Sequence, residues 1–88
     1  MTKSIWCDEL EVPAEMKANS RLTYTYIDGR DDDGYTYNMV SSFLATATQE
    51  DVQRAVESLI NQSGDNHHVF IEGFDQTEDG YWEVCLGS

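Results

Sequence analysis

The chain has 88 residues, 40% of them apolar, which is enough for a single domain spanning 1–88 and leaves no room for a second core. Seventeen Asp and Glu against five Lys and Arg leave a formal net charge of −12, which excludes direct binding to DNA, RNA or an anionic membrane, because such contacts need clustered cations. Two Trp, five Tyr and three Phe exclude a disordered acidic tail, since each ring buries a large area when the chain folds.

Met1-Thr2-Lys3-Ser4 runs straight into Trp6-Cys7-Asp8-Glu9 with no apolar h-region, and no stretch approaches a membrane span, so a cytoplasmic location is expected. Cys7 and Cys85 are then expected as free, buried thiols rather than a bridge. Residues 4–12 read as a first strand, stopped by Pro13, the only proline, and residues 13–20 as a connection. Residues 21–28 alternate, with Leu22, Tyr24 and Tyr26 on one face and Thr23, Thr25 and Ile27 on the other, which predicts a strand. Residues 29–34 enclose Asp31, Asp32 and Asp33 between glycines and read as a hairpin loop. A third strand follows from Tyr35 to about Thr46, with a bend expected near Ser41-Ser42.

The helix is the clearest element. Thr48 suits the N-cap, Glu50 and Asp51 place acid in the first turn, and Asp51 stands three residues after Thr48, as in a capping box. Val52, Ala55, Val56, Leu59 and Ile60 fall at i, i+3, i+4, i+7 and i+8, a single apolar stripe, and Gly64 fits the left-handed position past the end. Residues 67–75 read as a fourth strand, residues 76–80 as a second acidic turn carrying Glu78 and Asp79, and residues 81–86 as a fifth strand. The expected architecture is α+β: an antiparallel sheet of about five strands in the order β-β-β-α-β-β, with one helix packed on one face.

Catalytic and metal-binding patterns are weak. Placing Gly34 or Gly80 at the glycine of a calcium loop leaves Val40 or Leu86 where a bidentate Glu is required, so neither turn is an EF-hand. His67 and His68 are neighbours on a strand and point to opposite faces, so they do not share a metal. Glu72 and Glu83 are expected to face each other across the last hairpin, but with seventeen acids such pairs arise by chance. No nucleophile elbow, phosphate-cradling loop or zinc-protease helix is present, so no enzyme and no cofactor is expected. Tyr24 and Tyr26 are placed against Tyr35 and Tyr37 of the next strand as a cross-strand ladder, either core packing or an interface.

Function is therefore sought in the charge. Asp8, Glu9, Glu11, Glu15, Asp28 and Asp65 join the clusters already named, so acids occur along the whole chain. Two strand residues advance roughly 6.8 Å, about two base steps, so carboxylates on strands and turns can stand in for phosphates. With features such as Asp31-Asp32-Asp33 and Gln76-Thr77-Glu78-Asp79-Gly80, the chain resembles the small acidic inhibitors of phages and mobile elements, the anti-CRISPR and DNA-mimic anti-restriction proteins. That resemblance covers size, charge and build and carries no motif. It implies inhibition by occupying the basic surface of a CRISPR effector or another nuclease, in the host cytoplasm, by a monomer or small homo-oligomer. The alternatives are an immunity or antitoxin-type protein against a basic toxin, a non-catalytic interaction module, or a domain whose charge serves solubility. The residues expected to meet the partner are Asp28, Asp31, Asp32, Asp33, Asp75, Glu78, Asp79, Tyr35 and Tyr37.

Overall fold

A computed structural model describes residues 3–64 and 67–87; Asp65 lies outside them. The elements are β1 (Ile5–Trp6), β2 (Arg21–Asp31), β3 (Gly34–Phe43), α1 (Gln49–Ser63), β4 (Phe70–Gln76) and β5 (Trp82–Gly87). This is the expected β-β-β-α-β-β order in an α+β fold. The five strands form one sheet in the order β1-β4-β5-β2-β3. It is mixed rather than antiparallel: the hairpins β2–β3 and β4–β5 are antiparallel, but β1 joins β4 and β2 joins β5 in parallel. The helix lies between the two hairpins in sequence, and such a crossover permits parallel pairing.

Helix α1 forms as its residues dictate. The Thr48 Oγ1 accepts from the Asp51 backbone N–H at 3.3 Å, and the stripe Val52, Ala55, Val56, Leu59 and Ile60 is buried. Gly64 adopts φ 72°, and its N–H donates to the Ile60 carbonyl. The reciprocal half of the capping box is absent, because the Asp51 carboxylate instead accepts from the Thr46 hydroxyl at 2.6 Å. The helix packs chiefly on β3 and β2. Leu22, Tyr24, Ile71, Trp82 and Val84 line the sheet side of the core, and Met16, with Leu10 and Val12 against it, completes the core from the segment between β1 and β2.

The first strand is shorter than expected. Only Ile5 and Trp6 pair, and from Cys7 the chain turns, with the Trp6 indole N–H donating to the Leu10 carbonyl at 2.7 Å and Glu9 at φ 70°. Conversely, β2 runs through the residues read as a loop. Gly29, Arg30 and Asp31 continue the strand expected to end at Asp28, Gly34 already opens β3, and only Asp32 and Asp33 form the turn. The Asp31 carboxylate accepts from the Asp33 N–H at 3.0 Å, and Gly34 re-enters the strand at φ 136°, a conformation a side chain disfavours.

The irregularity expected at Ser41-Ser42 lies at Asp28 instead. The register is Gly29↔Thr36 on one side of it and Ile27↔Tyr37 on the other. This single extra residue decides which face each tyrosine takes. Counting back from the two-residue turn without it would set Tyr24 and Tyr26 opposite Ser41 and Met39, on the Tyr35–Tyr37 face. With it, Tyr24 and Tyr26 oppose Val40 and Asn38, on the helix face. The tyrosine ladder therefore does not form. Tyr24 is buried and stacks on Tyr26, with ring centroids 6.1 Å apart, while Tyr35 and Tyr37 face away from the helix.

Candidate protein-binding surface

In-register strand partners share a face, so the pairings identify the side of the sheet opposite the helix: Ile5 with Phe70, Phe70 with Gly87, Asp75 with Glu83, Glu83 with Thr23, Thr25 with Met39, and Ile27 with Tyr37. Six of the seven large exposed hydrophobics among the described residues lie there, Ile5, Ile27, Tyr35, Tyr37, Met39 and Phe70, while Phe43 at the end of β3 also lines a small cleft with Asp51, Arg54, Ala55 and Ser58 of the helix. Scattered apolar exposure is ordinary on a protein surface; confinement to one face is the informative feature.

The exposure is continuous on the far half of β2–β3. Six consecutive β3 residues, 34–39, are exposed, although alternate ones point to opposite faces. The hairpin therefore projects beyond the helix as a two-sided arm. Tyr35 and Tyr37 are 52% and 62% exposed on it, next to Ile27 and Met39. Asp28 at the bulge, Asp31 at the strand end, and Asp32 and Asp33 in the turn surround the tip. The single cation in the arm, Arg30, stands 5.6 Å from the Tyr35 ring centroid.

Six of the nine expected partner-binding residues are thus brought together: Asp28, Asp31, Asp32, Asp33, Tyr35 and Tyr37. Glu78 and Asp79 are not among them. Because β5 runs parallel to β2 from the Leu22↔Trp82 pair, the β4–β5 turn sits at the end of the sheet where β2 begins, and Arg21 lies 5.0 Å from the Tyr81 ring centroid there. Ten strand residues separate that level from the arm tip, roughly 30 Å. Asp75 lies between, on the open face, opposite Glu83 rather than in the turn. Glu72 does not face Glu83; it is the bulged residue of β4, and its carboxylate covers Gly87.

Other acids are engaged locally. Glu57 accepts from the Ser4 N–H and hydroxyl at 3.0 and 2.8 Å, tying the first strand to the helix, and Glu50 pairs with Arg54 at 2.8 Å. Cys7 and Cys85 are free thiols, but neither is buried as expected. Cys85 lies on the open face, donating to the Asp75 carboxylate at 3.4 Å. Partial burial, then that hydrogen bond and the charges of Asp75, Glu83 and Glu72, push its pKa above the ordinary thiol value.

Among the described residues no three His, Cys, Asp or Glu side chains converge as a metal site requires, and no helix is long and apolar enough to cross a membrane. Ile27, Met39 and Phe43 are exposed beyond the nine residues that the sequence marks for the partner. Alternation with Tyr37 points to Met39 and Phe43, whereas placing Ile27 beside Tyr37 requires the bulge. No family model, curated protein or solved structure matches the chain.

Proposed function

We propose that this protein is a non-catalytic inhibitor that docks its β2–β3 arm on a basic, nucleic-acid-binding protein surface and excludes the nucleic acid. The observation that carries the reading is the pair Tyr35 and Tyr37, exposed on a projecting arm and ringed by Asp28, Asp31, Asp32 and Asp33. Exposed tyrosines supply rigid contact area of the kind that dominates interface energetics. The surrounding carboxylates steer the arm to a cationic cleft and compete with phosphates for it. The host-cell cytoplasm, where a nuclease or CRISPR effector would be met, belongs to the same reading.

One observation favours a second reading. Four acids and the exposed Tyr35 and Tyr37 are gathered at one tip, and the second acidic turn is at the opposite end, so the acids do not form one continuous phosphate-like stripe. That concentration suits an immunity-type protein neutralising a basic toxin. Competition separates the two. The inhibitor reading expects the captured partner to bind DNA or RNA and to release it as this protein is added, with the effect weakening as salt rises. Combined reversal of Asp31, Asp32 and Asp33 to Lys should slow association tenfold or more at low salt. A partner that retains its nucleic acid in the presence of saturating protein would refute the inhibitor reading.

A further inference from the structure

β2 and β5 pair only at Leu22↔Trp82 and Thr23↔Glu83, although both strands continue well beyond. Past that point β2 and β3 form a two-stranded ribbon, and such ribbons twist more strongly than sheet interiors. A cleft of about 390 Å³ opens between the diverging strands. Its walls are residues 24–27 of β2 and residues 83–86 of β5. Neighbouring strand residues point to opposite faces, so consecutive residues can line one cleft only where it runs along the strand edges. Extending the register past Thr23↔Glu83 would set Tyr24 opposite Val84, Thr25 opposite Cys85 and Tyr26 opposite Leu86, the same residues that form the walls. The cleft occupies the place of an interrupted strand pairing. β2 is paired on its other side by β3, and β5 by β4, which leaves one backbone edge of each strand facing the cleft.

The charge of the cleft indicates what suits it. Glu83 lines it, Asp75 stands opposite Glu83 on β4, and His68 is the one basic side chain of the lining, which holds no Lys or Arg. Burial first, and after it the hydrogen bond and charge of Asp75 and the charges of Glu83 and Glu72, raise the pKa of Cys85 beside the cleft. Aromatic Tyr24, Tyr26 and Tyr37 supply apolar wall. A volume near the lower end of the roughly 300–1,000 Å³ range of ligand sites has room for a few extended residues, not for a helix about 10 Å across. A second copy of this chain, also at −12, would be repelled.

We infer that the cleft receives an extended cationic segment of the partner, which adds as a strand between β2 and β5 and sets a Lys or Arg against Glu83 and Asp75. This rests on the reading that the partner is basic. Strand addition takes its affinity from main-chain hydrogen bonds and its specificity from side-chain pockets; the strand edges beside the cleft would supply the first, and Glu83 and the tyrosine wall the second.

The test is a titration of isotope-labelled protein, followed by amide NMR shifts, with the pentapeptide acetyl-Val-Arg-Val-Arg-Val-amide and its counterpart with Glu at both Arg positions. The Arg peptide should shift residues 24–27 and 84–86 saturably, and Glu83→Gln, with its dispersed spectrum intact, should weaken binding roughly fivefold. The Glu peptide and a control Glu78→Gln variant should leave those shifts absent and unchanged, respectively. The inference is overturned if both peptides act alike, if shifts are confined to residues 31–33, or if Glu83→Gln has no effect. Loss of peptide binding with nucleic-acid competition intact would remove the cleft and leave the inhibitor reading standing; failure of competition with cleft binding intact would do the reverse.

Discussion

Single side chains here carry consequences out of proportion to their size. Thr48 closes the first turn of α1 by accepting the Asp51 N–H, and its hydroxyl also meets that of Thr46 at 2.9 Å. Thr48→Ala should cost about 1 kcal/mol of stability in urea titration, as removal of such a cap does elsewhere. The Cys85 thiol holds its proton more tightly in the fold than in the unfolded chain, with burial the first cause and Asp75 the next. The sign follows directly. The stabilisation is fully present below the ordinary thiol pKa, and it is lost as pH rises from there through the raised one. Alkylation of native Cys85 at mildly alkaline pH should therefore be slower than in denaturant, and Asp75→Asn should speed it. Equal rates in the native wild type and the variant would show that Asp75 does not hold the proton.

Among the elements, α1 is complete in its own sequence. Its caps, first-turn acids and apolar stripe all agree, because each depends on residues within a few positions of one another. At its end, Gly64 has open space around the position of a Cβ, so Gly64→Ala tests backbone conformation alone; the left-handed φ of 72° should make it destabilising by about 1 kcal/mol in thermal or urea unfolding. The β2–β3 arm is the opposite case. Its residues 29–34 read as loop, yet Gly29, Arg30 and Asp31 remain paired strand. Poor strand formers are tolerated there because the arm is solvated on both faces, where packing asks little of them. An isolated two-stranded ribbon is marginally stable, so amides in residues 34–38 should exchange with solvent at the low end of the protein's range, well before those of β5.

On the scale of the whole molecule, net charge acts on folding and on association with opposite signs. Seventeen acids against five cations repel one another across a body of 42 × 29 × 21 Å, most of it further apart than a Debye length at 0.15 M salt. Raising NaCl from about 10 mM to about 150 mM should raise the melting temperature while slowing capture of a basic partner. A melting temperature that falls with salt would mean that local ion pairs, of which Arg54 with Glu50 and Asp51 is the visible case, outweigh the general repulsion.

Sequence by itself determined the composition-level character of this protein, the helix to its caps, the number and order of strands, and the acidic, aromatic content of the β2–β3 hairpin. Those features follow from local periodicity, turn chemistry and charge count. Tertiary structure alone decided the parallel joins of β1 to β4 and β2 to β5, because pairing between distant strands leaves no periodic trace in either one. It alone separated the two acidic turns to opposite ends of the sheet. It also divided the tyrosines, Tyr24 and Tyr26 inward and Tyr35 and Tyr37 outward, through one bulged residue, Asp28. The side-chain period of a strand is two, so a single unpaired residue exchanges the faces of everything beyond it.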